Sequence, residues 1–186
     1  MKVILLPGNE GHEDISNYCW FPYLKQELEP LGLKVVIKNM PDPKLARAKY
    51  WLPFIINELK ADENSILIGH SSGAVAIMRL LEKMKLYGVI LVGAHYTDLG
   101  YEEDKLSGYF DKPWNWGKIK KNANWTVQFA STNDPFIPIE HSRHIYKKLD
   151  TEYYEMEAEH FGYPNPKLEF SEVIEIVKRK LSKSSQ

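Results

Sequence analysis

The chain has little with which to cross-link, embed or charge itself. It has one cysteine, Cys19, in 186 residues, so no internal disulfide can form and a small disulfide-stapled scaffold is excluded. No apolar stretch reaches the roughly 20 residues a transmembrane helix needs. The N-terminal run ends at Leu6, before Pro7, too short for the apolar core of a signal peptide. A cytoplasmic protein without a membrane partner is expected. Neither sign of charge is in excess: the formal net charge is −1, whereas nucleic-acid binders usually concentrate basic residues, so nucleic acid is not an expected partner. The basic run Lys178-Arg179-Lys180 reads as the solvated end of a last helix. Internal repeats, low-complexity tracts and linkers are also lacking. One domain over residues 1–186 is expected, fraying at 182–186.

What is present is an alternation. Short apolar runs at Lys2–Leu6, Lys34–Lys38, Ser65–Gly69, Gly88–Val92, Thr126–Ser131 and Thr151–Met156 are separated by helix-like stretches. The first five are nearly continuous rather than alternating, as strands buried on both faces must be. The sixth is more polar and suits an edge. Helices are predicted over Asn17–Leu31, Leu45–Leu59, Ser72–Met84, Glu140–Leu149 and Leu168–Leu181. Pro53 either kinks the second of these or opens a new helix. The order implies a three-layer α/β/α sandwich on a mainly parallel six-stranded sheet. Residues 95–125 break the rhythm, with Gly100, Gly108, Pro113 and three tryptophans. A long aperiodic interval in a compact domain usually serves a function, and a short cap over a site is expected there.

Gly69-His70-Ser71-Ser72-Gly73 fits the pattern G-x-S-x-G. The pattern alone is weak, but here a buried strand precedes it and a helix rich in small residues follows, the setting of a nucleophile elbow. Ser71 is the candidate nucleophile, and the N–H of Ser72, at the helix N-terminus, a candidate oxyanion donor. A second donor is expected from the loop after the first strand, Pro7-Gly8-Asn9-Glu10-Gly11: the N–H of Asn9, with Glu10 as the alternative. That loop lacks the glycines of G-x-G-x-x-G, so no dinucleotide cofactor is expected. In this architecture an acid and then a histidine follow the serine along the chain. Asp134, in the loop after the fifth strand, is better placed than Asp98, Asp104, Asp111 or Asp150. His160, after the sixth strand, is the candidate base.

The other histidines carry less. His70 is expected to pack or hydrogen-bond locally, and His12 and His95 lie in loops on the candidate active edge. His141 and His144, at i and i+3, have no evident third ligand and read as a solvated helix face, so no metal is expected. Trp20, Tyr109, Phe110, Trp114, Phe136 and Phe161 are the candidate substrate-binding aromatics. The substrate expected is a small molecule or short peptide carrying an ester or amide. A non-catalytic interaction module on the same fold, and an acyltransferase, are the alternative readings.

Several of these segments, with Met40-Pro41-Asp42-Pro43, Trp51-Leu52-Pro53-Phe54, Ser107-Gly108-Tyr109-Phe110, Pro113-Trp114-Asn115-Trp116 and Asp134-Pro135-Phe136, make the chain resemble the retinoblastoma-binding protein nine family of small serine hydrolases, in the α/β-hydrolase superfamily. The resemblance runs along essentially the whole chain. It implies a six-stranded parallel sheet with little or no lid, and a triad falling on Ser71, Asp134 and His160. The eponymous protein carries a Leu-x-Cys-x-Glu segment proposed to bind the retinoblastoma protein. Here Leu59-Lys60-Ala61-Asp62-Glu63 has Ala61 at the cysteine position, so that binding is not expected to carry over.

Overall fold

A computed structural model describes residues 1–12 and 14–182. Six strands, β1 (Lys2–Leu6), β2 (Lys34–Val36), β3 (Ser65–His70), β4 (Gly88–Val92), β5 (Thr126–Ser131) and β6 (Glu152–Met156), pair in the order β2-β1-β3-β4-β5-β6. Every pairing is parallel. The helices are α1 (Phe21–Leu28), continued by a 3₁₀ turn (Glu29–Leu31), α2 (Ala48–Asn57), α3 (Ser72–Leu81), α4 (Glu102–Ser107), α5 (Trp116–Lys121), α6 (Ile139–Leu149) and α7 (Ser171–Ser182).

The continuous apolar runs follow from burial on both faces of the sheet. Ile4, Leu6, Leu67, Val89 and Leu91 point into one core with Trp51 and Ile55 of α2, Val75 and Ile77 of α3 and Ile145 of α6. Their neighbours Val3, Leu5, Ile66, Ile68, Ile90 and Val92 point into the other, against Phe21 and Leu24 of α1 and Val173 and Val177 of α7. Strand side chains alternate faces, so only a run without polar interruptions fills both. The sixth strand lies at an edge of the sheet. Its Glu155 pairs with Arg143 at 2.8 Å and its Glu152 with Lys180 at 2.8 Å and with Arg179, charges that discourage edge-to-edge pairing.

Several boundaries differ from the periodicity. Helix α1 starts at Phe21, not Asn17, because the chain is still turning through Cys19, whose φ is 43°. Helix α2 starts at Ala48 because Ala46 has φ 49°. Pro53 lies inside α2 rather than opening a new helix. Helix α7 starts at Ser171 and runs through Ser182; the rest of the expected frayed tail, 183–186, lies outside the described residues.

Residues 95–125 divide between two roles instead of forming one cap. Helix α5 packs against α3 and α6 and so supplies the crossover between β4 and β5. The stretch before it is tied down by the Arg79 guanidinium, which donates to the carbonyls of Tyr109 at 2.8 Å and Lys112 at 2.6 Å and lies 3.6 Å from the Trp114 ring centre. Within it, only residues between His95 and Asp104 line the cavity described below. Among the described residues no helix is long and apolar enough to cross a membrane.

Candidate active site

The turn between β3 and α3 holds Ser71 at φ 52°, ψ −118°, a left-handed conformation that non-glycine residues adopt only at a cost. Main-chain bonds pin it there: its N–H donates to the Val92 carbonyl at 2.9 Å, and its carbonyl accepts from Ala74 at 2.9 Å. A serine at a helix N-cap usually bonds its hydroxyl to the first turn; Ser71 makes no such bond. The flanking glycines are required by contact. A Cβ on Gly69 would lie 2.5 Å from the main chain of Gly73, and one on Gly73 2.5 Å from the carbonyl of Leu6. The elbow is therefore packed against both α3 and the end of β1.

Beyond β5 the Asp134 carboxylate is fully committed. Its Oδ1 accepts the N–H groups of Phe136 at 2.9 Å and Ile137 at 3.0 Å, and its Oδ2 lies 2.8 Å from Nδ1 of His160. Both side chains of that pair are buried. An ionised carboxylate only accepts, so the proton of that contact sits on Nδ1. The His160 ring is flanked by Phe136, at 5.2 Å between ring centres, and by His70, at 4.7 Å.

Ser71, His160 and Asn9 line one cavity of about 530 Å³, within the size range of small-molecule sites. Ser72 is the first residue of α3, where a main-chain N–H has no partner within the helix. The remaining wall is of two kinds. Leu99, Tyr101, Phe136, Ile137 and Tyr163 make it apolar, while Glu10, Glu103 and Asp104 face it with Lys44 as the lysine among them. Asp104 lies 3.3 Å from Nε2 of the buried His95, which also reaches the cavity.

Of the six expected substrate-binding aromatics, only Phe136 lines this cavity. Trp20 and Phe161 are fully buried in the core beneath α1 and α7, joined by a 3.0 Å bond from the indole N–H to the Phe161 carbonyl. Tyr109 is buried in the other core, and Phe110 and Trp114 pack against that core. All five lie in loops, but their large apolar area is satisfied inward. The helix α6 histidines are half-buried rather than a fully solvated face. The rings of His144 and His141 lie 4.1 and 4.7 Å from that of Tyr96.

His70 does more than pack locally. Its Nδ1 lies 2.6 Å from the Tyr18 hydroxyl and its Nε2 2.9 Å from the His160 carbonyl, partners 52 and 90 residues away. Full burial, and then the adjacent His160, hold its pKa well below the ordinary 6.5. Burial followed by the nearby Glu10 raises the Tyr18 phenol and pushes the Cys19 thiol up to about 12. Ligand atoms of Glu10, His70 and His160 lie within 4.8 Å of one another. Both nitrogens of His70 are engaged, however, so a metal there would have to displace the Tyr18 hydroxyl or the His160 carbonyl.

The other lining residues, Lys44, Leu99, Tyr101, Glu103, Ile137 and Tyr163, were not expected from the sequence. The signal open to them was topological, since loops following the carboxyl ends of parallel strands converge at one rim. Tyr18 carried no such signal.

A six-stranded parallel sheet covered by helices, with an elbow serine opening α3, defines the α/β-hydrolase fold. Mouse alpha/beta hydrolase domain-containing protein 10 superposes with a TM-score of 0.68 over 98% of this chain and 90% of its own, at 14% identity. The chain belongs to the serine hydrolase family, whose profile matches residues 3–176. It is 43% identical over 183 residues to serine hydrolase RBBP9 of Rattus norvegicus, covering 97% of this chain and 96% of that one. The putative hydrolase YdeN of Bacillus subtilis is 31% identical over 155 residues, 79% of this chain and 80% of its own. The crystal structure of the ydeN gene product superposes with a TM-score of 0.86, covering 97% of this chain and 98% of that one.

Proposed function

We propose that the protein hydrolyses a small carboxyl ester or amide through a Ser71–His160–Asp134 triad and an acyl-enzyme. The observation that carries this reading is the buried 2.8 Å contact between His160 Nδ1 and Asp134. It leaves the other imidazole nitrogen basic in a cavity that Ser71 also lines.

In the first step His160 Nε2 takes the Ser71 hydroxyl proton while Oγ bonds to the substrate carbonyl carbon. The N–H groups of Ser72 and Asn9 stabilise the oxyanion, each such donor being worth about 10²–10³ in rate. Collapse expels the alcohol or amine, which leaves with the proton from His160. Water, deprotonated by the same nitrogen, then attacks the acyl-serine, and acid departs as Ser71 regains its proton. Asp134 holds the imidazole in the tautomer this cycle needs.

The cavity's size and its apolar wall favour a compact acyl group seated against Phe136 and Ile137. The reading includes no retinoblastoma-protein binding, because Leu59 and Ala61 of the corresponding segment are buried. The test is turnover of a short acyl ester and an aminoacyl amide by Ser71→Ala. A fall of kcat by roughly 10⁴–10⁶ with an unchanged melting profile is expected, and retained turnover contradicts the assignment.

A further inference from the structure

Three hydrogen bonds join the parts of the site in one line. The Gly8 N–H donates to the Tyr18 hydroxyl oxygen at 3.2 Å, the Tyr18 hydroxyl meets His70 Nδ1 at 2.6 Å, and His70 Nε2 meets the His160 carbonyl at 2.9 Å. We propose that Tyr18 and His70 are positioning residues for the hydrolysis described above. They tie the main chain of His160 and the loop carrying Asn9 to the turn that holds Ser71. The inference rests on that reading of the site.

The direction of each bond follows from what the atoms can do. A carbonyl only accepts, so His70 Nε2 carries a proton. The ring is completely buried, and charge there would be costly, so the neutral form leaves Nδ1 bare and in need of a donor. The Tyr18 hydroxyl is that donor. Glu10 Oε1 lies 3.1 Å from the same hydroxyl oxygen and competes for its single proton. Glu10 is exposed, and its other oxygen lies 3.0 Å from His12, so it has other partners. His70 Nδ1 has none. The shorter distance goes with the group that has no alternative.

The arrangement also explains why the anchoring group is a neutral imidazole. The His70 ring lies 4.7 Å from that of His160, which becomes a cation in each half of the catalytic cycle. A permanent charge at His70 would oppose that step. A phenol supplies the proton Nδ1 requires while adding no charge. Tyr18 in turn takes the Gly8 N–H, one residue before Asn9, so the base loop and the oxyanion loop are set from the same buried pair.

The variants Tyr18→Phe, His70→Gln and His70→Leu test this, with kcat and KM measured separately and Ser71 labelling by a fluorophosphonate as a control. Nitrogen-resolved NMR of the histidines provides a readout independent of turnover. Tyr18→Phe removes one oxygen atom and is expected to lower kcat about 10–100-fold, as sub-ångström to ångström misplacement does, with KM changed less than about twofold. His70→Gln keeps an N–H for the His160 carbonyl and should retain more kcat than His70→Leu. In wild type, His70 should stay neutral with its proton on Nε2 in the range where a free imidazole titrates, and its Nδ1 resonance should move in Tyr18→Phe. Wild-type kcat in both Tyr18→Phe and His70→Gln, or a His70 that titrates in that range, overturns the inference while leaving the hydrolase reading intact. An inactive wild type whose Ser71 is not labelled overturns both. Should His70→Leu fail to fold, the other two variants decide.

Discussion

The Asp134 carboxylate and the His160 imidazole form a closed pair. One carboxylate oxygen is held by two main-chain N–H groups and the other meets Nδ1 at 2.8 Å. The fixed carboxylate therefore selects one tautomer of a neutral His160 ring. Asp134→Asn should preserve the fold but present an amide that can donate to Nδ1, favouring the proton on Nε2. A loss of kcat of about 10⁴ is expected, measured with a neutral ester. A loss below tenfold would separate Asp134 from the chemistry.

A second expectation concerns substrate charge. Glu10, Glu103 and Asp104 face the cavity against Lys44, so an ester bearing a carboxylate should have a kcat/KM at least about tenfold below that of its neutral isostere. Salt should narrow the gap, because such charges are screened over about 10 Å at 0.1 M. Equal rates for the two esters at low salt would show that the carboxylates do not discriminate.

Gly73→Ala tests the packing of the elbow. The added Cβ would meet the Leu6 and Pro7 carbonyl oxygens at 2.5 and 2.7 Å, main-chain atoms that cannot swing away. Overpacking of this kind typically costs about 1–3 kcal/mol, and here it should also displace Ser71. Melting temperature and the rate of turnover of a test substrate should fall together. A variant with wild-type melting and wild-type rate would mean that β1 and α3 separate easily.

How much of this could be read from residue order depends on which physics decided each feature. Val3 to Leu6 and Gly88 to Val92 announced themselves because burial on two faces leaves no place for a polar residue. Gly69, Ser71 and Gly73 announced themselves because a strained turn at close quarters tolerates few side chains. Trp20 and Phe161 did not, since an aromatic in a loop can turn either to a cavity or to the core, and tertiary packing chose the core. Nor did Cys19 or Ala46, whose positive φ values delay α1 and α2; they are imposed by how the loops close. Tyr18 and His70 meet across 52 residues, a separation at which no local pattern operates.

Glu152 gives a pH dependence with a definite sign. Partial burial raises its pKa, but bonds from Arg179 and Lys180 outweigh that and leave the carboxyl at about 2, below the ordinary 4.5. The folded state thus favours the ionised form. Stability from this group is fully present above about pH 4.5 and is lost as pH falls toward about 2. Urea midpoints measured across that window should fall less steeply for Glu152→Gln than for wild type. Identical slopes would remove the group from the acid limb.

The most direct measurement is covalent labelling with a fluorophosphonate, followed by mass-spectrometric mapping of the modified peptide. A single adduct on Ser71, abolished by Ser71→Ala and strongly slowed by His160→Ala, is the predicted result. An unlabelled wild-type protein, or an adduct on another residue that persists in Ser71→Ala, would contradict the account.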